Sequence, residues 1–131
     1  MQKKMFIIGI LFAVSAVVLG ALGAHALEKI LSPEQLDSFE TGVTYQMYHA
    51  LALLLFAQTE FLISSSKKVI IVLFSCGILL FSISIYMLCM SAYWQIDLSF
   101  LGPITPIGGL LLISGWIFAL WKFIGYKSAN N

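Results

Sequence analysis

Four apolar runs, separated by short charged segments, constrain the fold of this chain more than any other feature. They cover residues 5–27, 41–63, 69–92 and 104–124. A helix needs about 20 residues to cross roughly 30 Å of hydrocarbon, and helices satisfy their own backbone hydrogen bonds in lipid. The sequence therefore predicts an all-α polytopic membrane protein, with four transmembrane helices in a compact bundle that forms one domain over residues 1–131.

The composition leaves little surface that could face water. Only 10% of the residues are charged and the mean hydropathy is +0.98, whereas about 25% of an average soluble domain is charged. A formal net charge of +1 provides no basic stripe for a nucleic acid. We expect the lipid bilayer as the first partner, a second copy or another membrane protein as the next, and no nucleic acid.

The lysines predict how the chain is oriented. Six of the seven lie before the first run, between the second and third runs, or after the fourth: Lys3, Lys4, Lys67, Lys68, Lys122 and Lys127. Only Lys29 lies in the remaining loops. Because positive loops stay in the cytoplasm, we expect a multi-pass protein of the bacterial cytoplasmic membrane with both termini inside.

The first outer loop contains a helix start. The stretch Ser32-Pro33-Glu34-Gln35 has the Ser-x-x-Gln form of a capping box, with proline at the first helical position. Apolar residues continue at helical spacing after it. This pattern predicts a short amphipathic outer helix that leads into the second transmembrane helix, with a bend expected at Gly42.

The first apolar run ends in the triplet Ala-His-Ala at residues 24–26, which resembles a signal-peptidase site. Small residues that recur every four positions allow close helix packing, which a discarded helix does not need. We therefore expect this segment to be kept. The expected packing positions, including a glycine pair in the fourth run, are Ala16, Gly20, Ala24, Gly108 and Gly109.

Polar residues inside the apolar runs are the candidate functional residues, because a polar group in hydrocarbon needs a partner. Counting along each run places six of them in one layer near the outer surface: His25, Tyr45, Gln46, His49, Tyr86 and Thr105. We expect His25 to lie next to His49. One interpretation is hydrogen bonding between helices or docking of a partner; the other is binding or transport of a small ligand, lipid, quinone or metal.

The sequence predicts no catalytic residue, metal or cofactor, and hence a non-enzymatic role. Imidazole, thiol and thioether groups suit copper, but apart from Tyr86 and Met90 no second ligand follows at a spacing that would share a helix face. Cys76 and Cys89 lie on different sides of one helix, so they are not expected to pair. No carboxylate pair or Ser-His-Asp set is within reach.

Three stretches resemble the transmembrane protein 256 family, also called domain of unknown function 423. They are GALGAHAL at 20–27, TYQMYHALALL at 44–54 and LGPITPIGG at 101–109. A weaker match is FSISIY at 81–86, where the family pattern usually has glycine at the position of Ile83. The resemblance implies a small multi-pass membrane protein with four helices, a first helix that stays, and no assigned enzyme activity or cofactor.

Overall fold

Five α-helices carry most of residues 1–126, the part of the chain that this computed structural model describes. Within this part no strand is present. Lys127, counted above among the lysines, lies outside the described residues. The helices are α1 (Gln2–His25), α2 (Pro33–Gln58), α3 (Ser64–Ile78), α4 (Ser84–Trp94) and α5 (Ile104–Ile124).

Helices α3 and α4 form one rod. A π-helical turn at Leu79–Ile83 joins them without a break, so that Ser64–Trp94 is a single helical segment of 31 residues. Together with Gln2–Lys29 and Ser99–Ile124, it is one of three segments that are long and apolar enough to cross a membrane. The π-turn was not predicted from the sequence.

Helix α2 is not one of these three apolar segments, because its first turns are acidic and its centre is polar. It nevertheless packs antiparallel along α1. Gly9 of α1 lies against Leu54 near one end of the pair, and Gly23 lies against Phe39 near the other. Helix α2 therefore runs through the same depth as α1, and the fold is the all-α bundle with four helical passes that the sequence predicts.

The start of α2 follows from its local sequence. The Ser32 hydroxyl accepts a hydrogen bond from the Gln35 backbone N–H at 3.2 Å, and the Gln35 side chain accepts one from the Ser32 N–H at 2.9 Å. The predicted capping box is thus present, and one uninterrupted helix runs from Pro33 to Gln58. The expected outer helix is the beginning of α2.

The helices pack in a fixed order. Helix α1 lies mainly against α2, α5 lies mainly against α3 and the π-turn, and α2 contacts α3 and α4 between them. The larger apolar core fills the half of the bundle that contains the N-terminus of α1. Its buried members are Met5, Ala52, Leu53, Ala57, Leu62, Ile70, Phe74, Ile78, Leu112 and Ala119.

Buried small residues recur every seven positions on α1, and Gly20 of the predicted four-residue repeat also faces α2, where a Cβ would lie 3.4 Å from Val43. Gly9, Ala16 and Gly23 are buried, whereas Ala24 is exposed and Gly20 is half-buried. A four-residue step advances about 40° beyond one full turn, whereas seven residues fall only about 20° short of two turns. The four-residue repeat therefore leaves the contact at Ala24, and Gly23 takes the place expected for Ala24.

Glycine at position 108 lets α5 touch the π-turn. A Cβ there would collide with the backbone of Leu80 and Phe81. Its neighbour Gly109 is less constrained, because a Cβ there would lie 3.7 Å from the Phe81 ring. Gly115, which the sequence analysis did not single out, lies directly beneath the Phe74 ring.

The two ends of the bundle differ in charge. We call one the lysine end; among the described residues it carries Lys3, Lys4, Lys67, Lys68 and Lys122, together with Glu60. The opposite, acidic end carries Glu28, Lys29, Glu34, Asp37, Glu40 and Asp97. Hydrogen bonds from its own backbone N–H and from Ser32 lower the pKa of Glu34. The Ser99 N–H does the same to the pKa of Asp97, so both carboxyl groups are charged at neutral pH.

Candidate functional site

His49 forms a hydrogen-bonded link between α2 and α5. Its side chain is 4% exposed, and its Nδ1 lies 2.7 Å from the Tyr45 carbonyl oxygen, one turn earlier. The Trp116 indole N–H donates to His49 Nε2 at 3.1 Å. Because a carbonyl can only accept and an indole N–H can only donate, these partners assign the proton to Nδ1. His49 is therefore a neutral imidazole.

Aromatic rings surround His49. Phe74 meets it edge-on at a centroid distance of 4.9 Å, and Trp116 does so at 6.0 Å. Tyr45 stacks more loosely at 6.3 Å. Both imidazole nitrogens are already used within this aromatic setting, so neither has a lone pair directed at a metal or a substrate.

Gln46 links three helices. Its side-chain NH2 donates to the Phe12 carbonyl oxygen at 3.0 Å and to the Ser15 hydroxyl at 2.7 Å, both on α1. The Tyr86 hydroxyl of α4 donates to the amide oxygen of Gln46 at 2.9 Å. Both ends of the buried amide are therefore satisfied, as a polar group in hydrocarbon requires.

Gly42 makes room for this link. The Tyr86 ring covers Gly42, where a Cβ would lie 2.7 Å from ring atom Cε1, and it packs on Phe39 at a centroid distance of 4.7 Å. One turn before Tyr86, the buried Ser82 hydroxyl donates to the Gly42 carbonyl at 2.8 Å. The sequence suggested a bend at Gly42; the structure shows a close approach to Tyr86 within a continuous helix.

Thr105 belongs to a separate contact. Its hydroxyl lies 2.6 Å from that of Ser84, which also donates toward the Leu80 and Phe81 carbonyl oxygens. This contact joins the start of α4 to the start of α5. No direct hydrogen bond within the described chain connects it to His49 or Gln46.

The sequence predicts that His25 lies next to His49. The structure does not bring the two histidines together. His25 is exposed at the end of α1, where the neighbouring Gly23 lies beside Phe39 of α2. His49 follows Phe39 by ten residues, which is about 15 Å along a helix axis. The predicted pairing is wrong because the antiparallel contact of α1 and α2 sets the two histidines at different depths.

Gln46 lies deeper in the bundle than expected from the sequence. Gln46 is residue 14 of the 26 in α2, and its partner Ser15 is residue 14 of the 24 in α1. We therefore use the term mid-bundle clusters for two groups near the middle of the helices. The first is the histidine pair, His49 and Trp116; the second is the glutamine cluster of Ser15, Gln46, Ser82 and Tyr86.

Three members of these clusters were missed from the sequence. Trp116 gave a recognisable hint, since it lies deeper than the interfacial belt where tryptophans are usual. Ser15 and Ser82 gave none, because serine is common in transmembrane helices and can bond its own backbone. Their partners depend on the rotation of one helix against another.

The described part of the chain contains no group of three or more His, Cys, Asp or Glu side chains that could hold a metal. Both cysteines are free thiols: Cys76 is exposed, and Cys89 is buried with its Sγ 3.2 Å from the Gln35 carbonyl oxygen. Their positions therefore give no ligand set around His49.

A groove opens beside the histidine pair, between α2 and α5. This α2–α5 groove has a volume of about 350 Å³. Tyr45, 44% exposed, lies along it, and its hydroxyl makes no hydrogen bond to any residue in 1–126. The groove is lined by Tyr45, His49, Phe81, Gly109, Leu112, Ile113 and Trp116.

Sequence comparison assigns the chain to a family. The family described as "Protein of unknown function (DUF423)" matches residues 19–109, which contain the whole of α2, α3 and α4. The chain belongs to the DUF423 family.

Curated relatives of this DUF423 protein match over nearly its whole length. A UPF0382 membrane protein of Staphylococcus aureus is 43% identical over 127 residues, covering 95% of this chain and 100% of the relative. A UPF0382 membrane protein of Bacillus subtilis is 39% identical over 127 residues, covering 95% and 99%. No solved structure matches. Together with the apolar helices, these relatives show a bacterial multi-pass membrane protein.

Proposed function

We propose that this DUF423 protein is a non-enzymatic component of the bacterial cytoplasmic membrane, with its lysine end in the cytoplasm. Five of the six lysines among residues 1–126 lie at that end, and only Lys29 lies at the other. The positive-inside rule then places the start of α1, the loop between α2 and α3, and the end of α5 inside. The proposed orientation rests on this asymmetry.

The mid-bundle clusters are proposed to be structural. The observation that carries this is the use of every polar atom of His49 and Gln46 by another group of the same chain. A general base or a metal ligand needs a free lone pair directed at its target, and neither side chain offers one. These contacts instead hold α1, α2, α4 and α5 in one arrangement.

A docking role is proposed for the lipid-facing side of α2. Tyr45 and Tyr48 are exposed there, and neither hydroxyl bonds to a residue that the structure describes. A hydroxyl in hydrocarbon without a partner costs free energy. We infer that a transmembrane helix of a partner protein, presenting a carbonyl or hydroxyl oxygen, covers these two tyrosines.

A second candidate is a small membrane-soluble ligand in the α2–α5 groove. The groove volume of about 350 Å³ lies within the range of small-molecule sites, and Tyr45 would supply one hydrogen bond. In this case Tyr45 would bind the ligand, and Tyr48 would have no part in it.

Native mass spectrometry of the protein released from its own membrane separates the two candidates. For docking, we expect a defined heteromeric mass that is lost in Tyr45→Phe and in Tyr48→Phe but kept in Tyr93→Phe, a matched control at the acidic end. An adduct of small-molecule mass that is lost only in Tyr45→Phe would favour the ligand. A bare monomer in all four proteins would reject both.

Orientation is tested by reporter fusions in the loop around Glu60 and after Tyr126. Both should report a cytoplasmic position. A periplasmic signal from either fusion would overturn the proposed topology.

A further inference from the structure

We propose that a groove at the lysine end binds the phosphate group of an anionic phospholipid. This lysine-end groove has a volume of about 280 Å³ and lies between the beginning of α3 and the end of α5. Its lining includes Phe61, Ile63, Ser66, Trp121, Lys122 and Tyr126. It is distinct from the mid-bundle clusters and from the α2–α5 groove.

The N-terminus of α3 carries lysines where a helix usually carries acidic residues. No side chain caps it, and its first turn contains no acidic residue, so that the N–H groups of Ser64, Ser65 and Ser66 have no partner within the helix. Lys67 and Lys68 follow immediately. Cations near the positive end of a helix dipole are unfavourable, whereas an anion is stabilised there.

Ser66 points independently to a ligand. It is 3% exposed, it lines the groove, and its hydroxyl forms no hydrogen bond with any residue in the described part of the chain. Because the hydroxyl lines the groove and has no partner in the chain, this side chain is free to donate to a phosphate oxygen there.

Lys122 supplies a cation at the same groove. Its Nζ lies 4.3 Å from the centroid of the Trp121 ring and 5.4 Å from that of Phe118. No carboxylate within residues 1–126 forms a salt bridge with it. The aromatic rings hold the ammonium beside the groove, where its charge is available to an anion.

Lys67 adds positive charge without filling the groove. Its buried ammonium donates to the Ala57 carbonyl oxygen at 2.8 Å, at the end of α2. Glu60 is the acidic residue of this end among those the structure describes, and it stands against five lysines. The potential at this end therefore favours an anion.

An adjoining apolar groove indicates a lipid as the source of the phosphate. It has a volume of about 250 Å³, shares Phe61 with the lysine-end groove, and continues along α5 to Trp116. Its lining is Phe56, Phe61, Trp116, Ala119, Leu120 and Phe123. A headgroup phosphate near Ser66 and Lys122 would let an acyl chain follow this track.

The test measures binding to the full chain in neutral detergent by native mass spectrometry, with thermal stability as a second measurement. We expect phosphatidylglycerol to bind and to raise the melting temperature, and phosphatidylcholine, whose headgroup carries no net charge, to bind more weakly. Equal binding of the two lipids would overturn the proposal. Inorganic phosphate alone should give no shift; a phosphate shift equal to that of the lipid would reject the lipid source.

Variants test the residues. Lys122→Gln should weaken phosphatidylglycerol binding about fivefold, the effect of one lysine at an anionic membrane surface. Lys122→Arg should retain binding, and Lys4→Gln is the charge-matched control at the same end. Ser66→Ala should weaken binding without unfolding the protein. Wild-type affinity in both Lys122→Gln and Ser66→Ala would reject the site, as would equal losses in Lys122→Gln and Lys4→Gln.

Discussion

The mid-bundle clusters and the lysine-end groove contain polar groups in opposite situations. At mid-bundle, His49 and Gln46 have all their polar atoms paired with other residues of the chain. At the lysine end, the Ser66 hydroxyl and the Lys122 ammonium have no hydrogen-bond acceptor or carboxylate among the described residues. His49 and Gln46 thus hold helices together, whereas Ser66 and Lys122 are left for a ligand.

The largest effect is expected from Gln46→Ala. This change removes three hydrogen bonds and leaves a cavity between α1, α2 and α4, so the free energy of unfolding should fall by about 2–3 kcal/mol. Reversible unfolding in mixed micelles measures it. Gln58→Ala, an exposed change on the same helix, should have little effect. Similar losses in both variants would mean that the hydrogen bonds of Gln46 do not hold the helices together.

The next largest loss of unfolding free energy is expected from Trp116→Phe. The change keeps an aromatic ring but removes the donor to His49 Nε2, leaving a buried imidazole nitrogen without a partner at a cost of about 1–2 kcal/mol. Trp94→Phe at the acidic end is the control. Should unfolding of the two variants be indistinguishable, the His49–Trp116 hydrogen bond would contribute nothing to stability.

A pair of serine changes compares the two regions most closely. Ser66 and Ser82 are both buried, but only Ser82 has a partner, the Gly42 carbonyl at 2.8 Å. In lipid-free detergent, Ser82→Ala should destabilise the protein by about 1 kcal/mol, whereas Ser66→Ala should be neutral or stabilising. The reverse order of unfolding free energies would contradict this difference between the two regions.

The smallest effect on stability is expected from Glu34→Gln. The pKa of Glu34 is lowered in the folded protein, so its contribution to stability is present at neutral pH and is lost as the pH falls below the ordinary value of 4.5. Acid unfolding curves should therefore show a small extra loss in this range that is absent in Glu34→Gln. Superimposable curves would mean that the capping hydrogen bonds do not stabilise the charged form.

The sequence predicted what depends on short stretches of chain. The Ser32 capping box involves residues three apart, so the pattern alone determines its geometry. The four helical passes follow from run length and hydrocarbon thickness. In both cases no knowledge of neighbouring helices was needed.

Contacts between helices were not predicted from the sequence. Which face of α1 meets α2 depends on a rotation of a few tens of degrees, and this decides whether Gly23 or Ala24 is buried. The offset between α1 and α2 decides whether His25 reaches His49. The sequence singled out Gln46 and Tyr86 as polar residues in apolar runs, but their direct hydrogen bond required the packed structure.

A double-mutant cycle between Gln46 and Tyr86 tests the structural role of the mid-bundle clusters most directly. The unfolding free energies of wild type, Gln46→Ala, Tyr86→Phe and the double variant give the coupling between the two side chains. Their hydrogen bond of 2.9 Å predicts a coupling of about 1 kcal/mol. Additive effects, with no coupling, would contradict the conclusion that these residues hold α2 and α4 together.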